Sequence, residues 1–461
     1  MDKDRFKDFD EEERQLVLDF ENTILRGGHR FFDVDELEVI MDYYFEVNDI
    51  APLERAVEYA EQLYPESTSV KLRRAHLLIA QEKFEPALKI IKTLRRQEPD
   101  NTDVAYSLGV AYGAVGEHEK AIELFLEAAA DGWLLGRIYA NIAEEYYHMD
   151  NYEEAIRYYK LSLDTDSYDS STLYNYVDTA ILSHNIEDAI VYLNSFVGEH
   201  PYSSEGWQCL GNLHREMGLF EKAVDAYEYA IAIDKTNFGA YTDLSSALEL
   251  MGKTADAVTA LLRARDYAPN RSLLYRMVAN IYMNSDNVDM ALIYYRKSVD
   301  ENPSDPDALA ALALAYVVSG EVSTALPLIR SALRQAPDSA DVLFSAAVIY
   351  DSIDNFEAAS DYFERTMMSD NCTEIMCQRY TIFLYNHKVY DILIQFGEES
   401  LEIYPRNPFY CTYLAAAYFY TNRYNRASRV LPHVNPEALA ELCPEIMQHP
   451  RLGPLVPGQN S

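Results

Sequence analysis

Alanine recurs along this chain at every thirty-fourth position. Starting from Ala121, each of seven successive steps of this length reaches another alanine, the last of them Ala359. Further steps reach Leu393 and Ala427, and two steps back from Ala121 reach Leu53. Ten of the twelve places in this register are alanine, and no insertion interrupts it. Chance does not produce such a register, so the chain is predicted to consist of twelve copies of one structural repeat.

Three further positions keep the same register. Twelve residues before the alanine the residue is mostly small: Ala75, Gly109, Ala143, Gly211, Ser245, Ala279, Ala313, Ala347 and Ala415. Three residues after that position a tyrosine recurs: Tyr44, Tyr112, Tyr146, Tyr282, Tyr316, Tyr350 and Tyr418. Twelve residues after the alanine a proline recurs: Pro65, Pro99, Pro201, Pro269, Pro303, Pro337 and Pro405.

This pattern predicts a pair of antiparallel helices in each repeat. Two helices approach closely only where the facing side chains are small, so the small residue and the alanine mark their contact. The aromatic ring fills the space beside that contact and buries a large apolar area. Proline ends the second helix, because it lacks an amide donor and clashes with a continuing helix. The abundance of tyrosine, 37 residues, is thereby largely assigned to packing.

The repeat resembles the tetratricopeptide repeat, whose signature is W-x2-L-G-x2-Y followed by A-x3-F and P. The best match begins with Trp207, Leu210 and Gly211 and continues with Ala223 and Tyr227. The resemblance covers residues 34–441 and implies an all-α fold, an α-α superhelix (solenoid) of about twelve 34-residue helix-turn-helix repeats. Repeat 1 is therefore 34–67 and repeat 12 is 408–441.

Two short segments flank the repeats. Residues 1–33 are predicted to form an acidic capping helix that ends at Gly27 and Gly28. Its acidic residues are interpreted either as a docking site or as a solvated outer face that only keeps the chain soluble. Residues 442–461 are predicted to form a C-terminal cap and a flexible tail that begins at Pro457.

The net charge of −36 restricts the kinds of partner. Such a surface repels nucleic-acid phosphates and anionic lipids, so nucleic acid and membrane insertion are not expected, and a basic or neutral protein or peptide is compatible. The alternative is that the acidity only keeps the array soluble. No signal peptide is apparent, and the five scattered cysteines indicate a reducing compartment, so a cytoplasmic location is expected.

Catalytic and cofactor motifs are lacking in the sequence. It has no His-Glu-x-x-His, no glycine-rich phosphate loop and no Cys-x-x-Cys. His214 occupies the aromatic place of its repeat and is interpreted as a core ring, and the spacing of Cys372 and Cys377 does not favour a metal. Little sequence lies outside the repeats. We therefore expect that the protein is not an enzyme and that it binds neither a metal nor a cofactor.

The resemblance also implies where a partner binds. In tetratricopeptide arrays the first helix of each repeat, helix A, lines the concave groove, and repeat positions 2, 5, 9, 12 and 13 meet a bound peptide. The predicted partner-binding residues are Tyr147, Tyr174, Gln208, Asn212, Arg215, Thr242, Ser246, Arg276, Asn280, Asn284, Phe344, Tyr385 and Phe419.

These residues fall into three zones. Repeats 3–5 present tyrosine and acid, repeats 6–8 present polar side chains, and repeats 9–12 are largely apolar. Asn and Gln carry both donors and an acceptor, so the middle zone is suited to an extended peptide backbone. Arg276 in that zone is a candidate to receive a carboxylate. The apolar zone is expected either to anchor a partner or to be covered by the C-terminal tail or a second subunit.

The leading hypothesis is therefore a non-enzymatic protein–protein interaction scaffold that binds a peptide or protein in the groove. The alternative is a self-associating scaffold, a homodimer formed through the apolar C-terminal repeats.

Overall fold

The computed structural model describes residues 11–26, 30–132, 134–165 and 170–458. Every regular element in these ranges is helical. Three short 3₁₀ turns span Ala129–Asp131, Leu431–His433 and Gly453–Leu455. The α-helices are α1 Glu11–Arg26, α2 Val34–Glu46, α3 Ile50–Leu63, α4 Thr68–Ala80, α5 Phe84–Gln97, α6 Thr102–Ala114, α7 His118–Ala128, α8 Leu135–His148, α9 Tyr152–Leu163, α10 Ser170–Leu182, α11 Ile186–Glu199, α12 Ser204–Glu216, α13 Phe220–Ile233, α14 Phe238–Leu250, α15 Thr254–Arg263, α16 Arg271–Asn284, α17 Val288–Glu301, α18 Pro306–Val318, α19 Val322–Gln335, α20 Ala340–Asp351, α21 Phe356–Met367, α22 Glu374–Asn386, α23 Tyr390–Ile403, α24 Pro408–Tyr420, α25 Tyr424–Val430, α26 Pro436–Leu442 and α27 Pro444–Gln448.

The helix starts follow the alanine register. The even-numbered helices α2 to α24 are helices A, and each begins within one residue of the first position of its repeat. The odd-numbered helices α3 to α25 are helices B, and each begins at position 17 of its repeat. The predicted fold class, an all-α array of twelve helix pairs, is confirmed.

The turn from helix A to helix B has one geometry in all twelve repeats. The residue at position 15 has a positive φ, and it is glycine in four repeats and another residue in eight. The amide of the next residue donates to the carbonyl five residues earlier at 2.7–3.0 Å, as between Asp49 and Tyr44. This is the hydrogen bond of a Schellman motif, which closes a helix and reverses the chain.

The helices of a pair meet where the sequence predicts. The ten register alanines are at most 1% exposed, and Leu53 and Leu393, which replace alanine in repeats 1 and 11, are equally buried. A Cβ added to Gly109 would lie 2.8 Å from the ring of Phe125, so the ring packs directly on the glycine. The small residue on helix A therefore leaves room for an aromatic side chain of helix B.

Several register tyrosines stack on a second tyrosine from helix B. The ring centroids of Tyr146 and Tyr158 are 5.6 Å apart, and the planes differ by 19°. Tyr282 and Tyr294 repeat this geometry in repeat 8, as do Tyr350 and Tyr362 in repeat 10. The predicted packing role of these tyrosines therefore has a specific form, in which two rings close the side of the helix pair.

The chain divides into two compact halves, residues 1–234 and 235–461. Repeats 1–6 belong to the N-terminal half. Its helix α1 contributes Val17 and Phe20 to a core that also contains Phe32 and Tyr44. Repeat 7 begins at residue 238, so repeats 7–12 belong to the C-terminal half.

The predicted ends are only partly within the described residues. Residues 1–10 of the N-terminal cap, its predicted end at Gly27 and Gly28, and residues 459–461 of the tail lie outside them. The predicted repeat boundary at residue 441 falls inside α26. The domain boundaries at 33/34 and 441/442 stay predictions.

Residues 435–458, which we call the C-terminal segment and which include the end of repeat 12, pack onto helices α22 to α25. Leu439, Ile446, Leu452 and Val456 are buried in one core with helices α22 to α25. This segment covers part of the apolar zone, and its buried residues lie before the predicted tail at Pro457.

The close approach of the helices in repeat 6 predicts opposite effects for two glycine substitutions. In Gly211→Ala the new methyl group overlaps the ring of the fully buried Tyr227, and overpacking costs about 1–3 kcal/mol. Gly198→Ala meets no neighbour, so the gain in helix propensity, up to about 1 kcal/mol, is retained. Hydrogen exchange in α11 to α13 is expected to accelerate in the first variant and not in the second. Equal protection in both variants would contradict the close-contact model.

Detachment of the C-terminal segment is expected to expose apolar surface. Ile446→Asp places a carboxylate at a fully buried position, which costs several kcal/mol and releases the segment. We expect faster proteolysis within residues 435–458 and concentration-dependent self-association in sedimentation velocity. Gln448→Asp, at an exposed position on the same helix, is the matched control. Unchanged proteolysis of the Ile446 variant would show that the segment does not depend on this contact.

Candidate binding surface

All thirteen predicted partner-binding residues lie on helices A. Because the two halves are separate compact units, we describe these residues as two surfaces, one on each half. The N-terminal surface contains Tyr147, Tyr174, Gln208, Asn212 and Arg215. The C-terminal surface contains Thr242, Ser246, Arg276, Asn280, Asn284, Phe344, Tyr385 and Phe419.

Polar side chains of neighbouring helices A bond to each other across the repeats. The Tyr174 hydroxyl donates to Gln208 Oε1 at 3.0 Å, and these residues are 34 positions apart. Asn284 Nδ2 donates to Glu249 Oε1 at 2.7 Å over 35 positions. The 34-residue repeat brings the same or neighbouring register positions of adjacent helices A together, and these bonds join the repeats.

The N-terminal surface is largely engaged in internal contacts. Gln208 is only 6% exposed, so it offers little surface to a ligand. Asn212 Oδ1 accepts a hydrogen bond of 2.8 Å from the Tyr227 hydroxyl. Arg215 lies 3.5 Å from the carboxylate of Glu216, and Tyr147 contacts the rings of His148 and Tyr152.

The two asparagines of α16 have opposite free ends. Asn280 is exposed, and its Oδ1 accepts a hydrogen bond of 2.6 Å from the Tyr295 hydroxyl, so its amide group is the end available as a donor. Asn284 is also exposed and donates from its amide group to Glu249, so its carbonyl oxygen is the end available as an acceptor. Each internal partner fixes the orientation of its asparagine side chain.

Arg276 already has a carboxylate partner. Its Nη1 lies 2.9 Å from Asp307 Oδ2 of the next repeat. The sequence interpretation assigned this arginine to a carboxylate of the ligand, and the structure supplies one from the chain itself. The ion pair offsets the positive charge of the guanidinium. Thr242 is also engaged, through a 2.8 Å bond to the carbonyl of Gly239, whereas Ser246 is exposed.

The aromatic residues of the C-terminal surface are partly covered. The Tyr385 hydroxyl donates to the carbonyl of Leu442, and the ring of Phe419 meets His449 edge-on at 5.8 Å. Both partners belong to the C-terminal segment. Phe344 packs against Phe363 of helix B at 6.2 Å.

A charged cluster on repeats 1–4 lies outside the predicted set of partner-binding residues. Arg73 forms an ion pair of 2.6 Å with Asp42, and His76 bonds to Ser107 Oγ at 3.0 Å. Burial raises the pKa of Asp42, and Arg73 and Arg137 partly oppose that shift. Arg73 stands at repeat position 6, outside the five positions that the resemblance marks for ligand contact. Arg73 and Asp42 are 31 positions apart, which is close to one repeat length, and this spacing is the sequence feature that could have indicated their contact.

Burial lowers the pKa of His76 to about 4, and the positive charges of Arg73 and Arg137 act in the same direction. His76 is therefore a neutral ring at neutral pH. The described residues contain no group of three or more His, Cys, Asp or Glu side chains that is able to hold a metal ion. Among the same residues, no helix is both long and apolar enough to cross a bilayer.

The neutral His76 predicts an acid-sensitive repeat 2. In the unfolded chain His76 binds a proton near pH 6.5, and in the folded chain only near pH 4. The free energy of unfolding is therefore highest above pH 6.5 and falls as the pH drops from 6.5 towards 4. Between about pH 7 and about pH 5 the wild type is expected to lose about 1–2 kcal/mol more than His76→Gln. Hydrogen exchange of the α4 amides measures this difference. Equal pH dependence in both proteins would contradict the assignment.

Comparison with known proteins agrees with the fold. Three models of the tetratricopeptide repeat match residues 72–134 and 310–366, residues 214–281, and residues 136–169 and 274–305, together more than half of the chain. The TPR repeat-containing protein YpiA of Bacillus subtilis (strain 168) is 20% identical over 362 residues, which is 71% of this chain and 85% of the relative. The BBSome complex member BBS4 of Bos taurus is 20% identical over 69% of this chain, which spans 62% of the relative's length.

A solved structure of the APC/C hetero-tetramer Cut9-Hcn1 aligns with 88% of this chain and 94% of the other chain at 14% identity. Its TM-score is 0.38, so this alignment adds nothing to the assignment. The family assignment rests on the matched family models and on the twelve helix pairs in register. The chain belongs to the tetratricopeptide repeat family.

Proposed function

We propose that this protein is a non-enzymatic protein–protein interaction scaffold that binds an extended peptide segment on the C-terminal surface, around Asn280 and Asn284. Tetratricopeptide repeat proteins bind proteins or peptides, and the proposal adds a position and a mode of recognition to that general role. It does not depend on a metal or a cofactor.

The complementary free ends of Asn280 and Asn284 support the proposal. Residues four apart on a helix are separated by about 6 Å along its axis. In an extended peptide, alternate residues that present N–H and C=O to the same edge are about 6.6 Å apart. One fixed donor and one fixed acceptor at this spacing match a peptide backbone without reading its side chains. The exposed Leu250 and Val318, in the repeats on either side, supply apolar contacts for side chains.

The charge of the surface favours a neutral or basic segment. The Asp307 carboxylate neutralises Arg276, and the chain as a whole has a net charge of −36. An acidic ligand would gain little from Arg276, which lies beside the asparagines and is already paired with Asp307. The net negative charge of the chain would also repel such a ligand at longer range. The same repulsion disfavours nucleic acid and anionic lipid as partners. The BBS4 relative is named as a complex member, which is compatible with a role in an assembly.

The alternative, a homodimer through the apolar C-terminal repeats, has less support. Tyr385 and Phe419 contact the carbonyl of Leu442 and the ring of His449 of their own chain. A dimer through this face would first require displacement of a segment whose apolar side chains are buried. We propose that the protein acts in the cytoplasm, where its cysteine thiols stay reduced.

The proposed recognition predicts a loss of affinity on removing both amides. Peptides selected by the immobilised full chain from a displayed library of unstructured sequences serve as probes. Each lost hydrogen bond is worth about 1 kcal/mol, so Asn280→Ala with Asn284→Ala is expected to weaken binding about tenfold or more. Fluorescence anisotropy measures the affinity, and circular dichroism checks the helix content.

The matched control is Asn194→Ala, which removes an exposed asparagine from a helix B of the other half. It is expected to bind the selected peptides as the wild type does. Equal affinity of the double variant would exclude these asparagines as the recognition site, and failure to select any peptide would contradict peptide binding itself.

A further inference from the structure

Two thiols face each other at the junction of repeats 10 and 11. Cys372 lies in the connector between α21 and α22, and Cys377 lies in the first turns of α22. Their Sγ atoms are 3.5 Å apart, and the thioether sulfur of Met367 is 3.8 Å from Cys372 Sγ. The other cysteines, Cys209, Cys411 and Cys443, are buried.

The backbone holds the two thiols in this arrangement. The Cys372 amide donates to the carbonyl of Ser369, and the Cys377 amide donates to the carbonyl of Thr373, both at 3.1 Å. Thr373 also caps α22, because its Oγ1 accepts from the amide of Met376. The connector and the start of the helix are therefore one closed turn, with the thiols on the same side. A disulfide requires the sulfurs to approach from 3.5 Å to about 2.05 Å.

We propose that Cys372 and Cys377 form a reversible intramolecular disulfide when the protein meets hydrogen peroxide. The Cys372 sulfur attacks a peroxide oxygen, the O–O bond breaks, and the products are a sulfenic acid and water. The Cys377 sulfur then attacks the sulfenic sulfur, the S–O bond breaks, and a second water leaves with the Cys377 proton. Two thiols are oxidised and one hydrogen peroxide is reduced to two waters.

The environments of the two thiols set the order of these steps. Burial raises the pKa of the Cys377 thiol, and the neighbouring Cys372 and Glu374 raise it further. Thiolates rather than thiols are the nucleophiles, so the raised pKa slows direct attack of Cys377 on the oxidant. We assign the first oxidation to Cys372, which lies in the connector, and the resolving step to Cys377, whose Sγ is 3.5 Å away on α22.

The cross-link would join the start of α22 to the connector, beside a contact with the residue that caps α24. Glu374, between the two cysteines, accepts hydrogen bonds of 3.0 Å from Gln378 and from Asn407, the residue that caps α24. Oxidation would therefore tie the end of repeat 10 to the start of repeat 11. In a reducing compartment a bond of this kind is transient and reports oxidative conditions.

The test uses the full chain in its native state, treated with one equivalent of hydrogen peroxide and then alkylated with N-ethylmaleimide under denaturing conditions. Two of the five thiols are expected to escape alkylation, and peptide mapping is expected to find Cys372 linked to Cys377. Dithiothreitol should restore all five.

Two kinds of variant sharpen the result. Cys377→Ser is expected to accumulate a sulfenic acid on Cys372 that dimedone traps, because the resolving thiol is gone. Cys209→Ser, which removes a buried cysteine of the N-terminal half, is expected to form the same disulfide as the wild type. A wild-type product without the Cys372–Cys377 link, or with Cys372 converted to a sulfinic acid while Cys377 stays a thiol, would overturn the proposal.

Discussion

The contact between a small residue on helix A and the alanine and ring of helix B is the constraint on which the other features depend. It brings the two helices of each repeat close together, and the constant repeat length places the same positions of adjacent helices A side by side. The bond from Tyr174 to Gln208 and that from Asn284 to Glu249 follow from this alignment. A wider or variable helix separation would remove both.

Much of the fold was predictable because its information is periodic. The alanine register gave the helix pairs, and the observed starts of the helices agree with it within one residue. The left-handed turn residue at position 15 was visible only where it is glycine, since the same conformation is adopted by Asn48, Glu82 and Lys388. In those repeats the Schellman hydrogen bond and the packing of both helices impose a conformation that the residue type alone does not indicate.

The candidate surface was less predictable, for a physical reason. The register places Arg276, Asn280 and Asn284 on helix A, but the partners of their side chains lie on other helices. Asp307, Tyr295 and Glu249 are each at least 15 residues away in sequence, and each decides which atoms are left for a ligand. Likewise, the sequence left open what covers the apolar zone, because the path of residues 435–458 depends on where their side chains find a complementary surface.

The uniform turn between helices A and B bears on how such a gene can change. One residue inserted into a helix rotates all that follow by about 100°, which would move the alanine away from the small residue that it faces. Single insertions within a repeat are therefore expected to be purged, and twelve repeats without one are consistent with that selection. Duplication or loss of a whole repeat preserves the turn and the helix contact within each remaining repeat. Such a protein is expected to change in length by one whole repeat at a time.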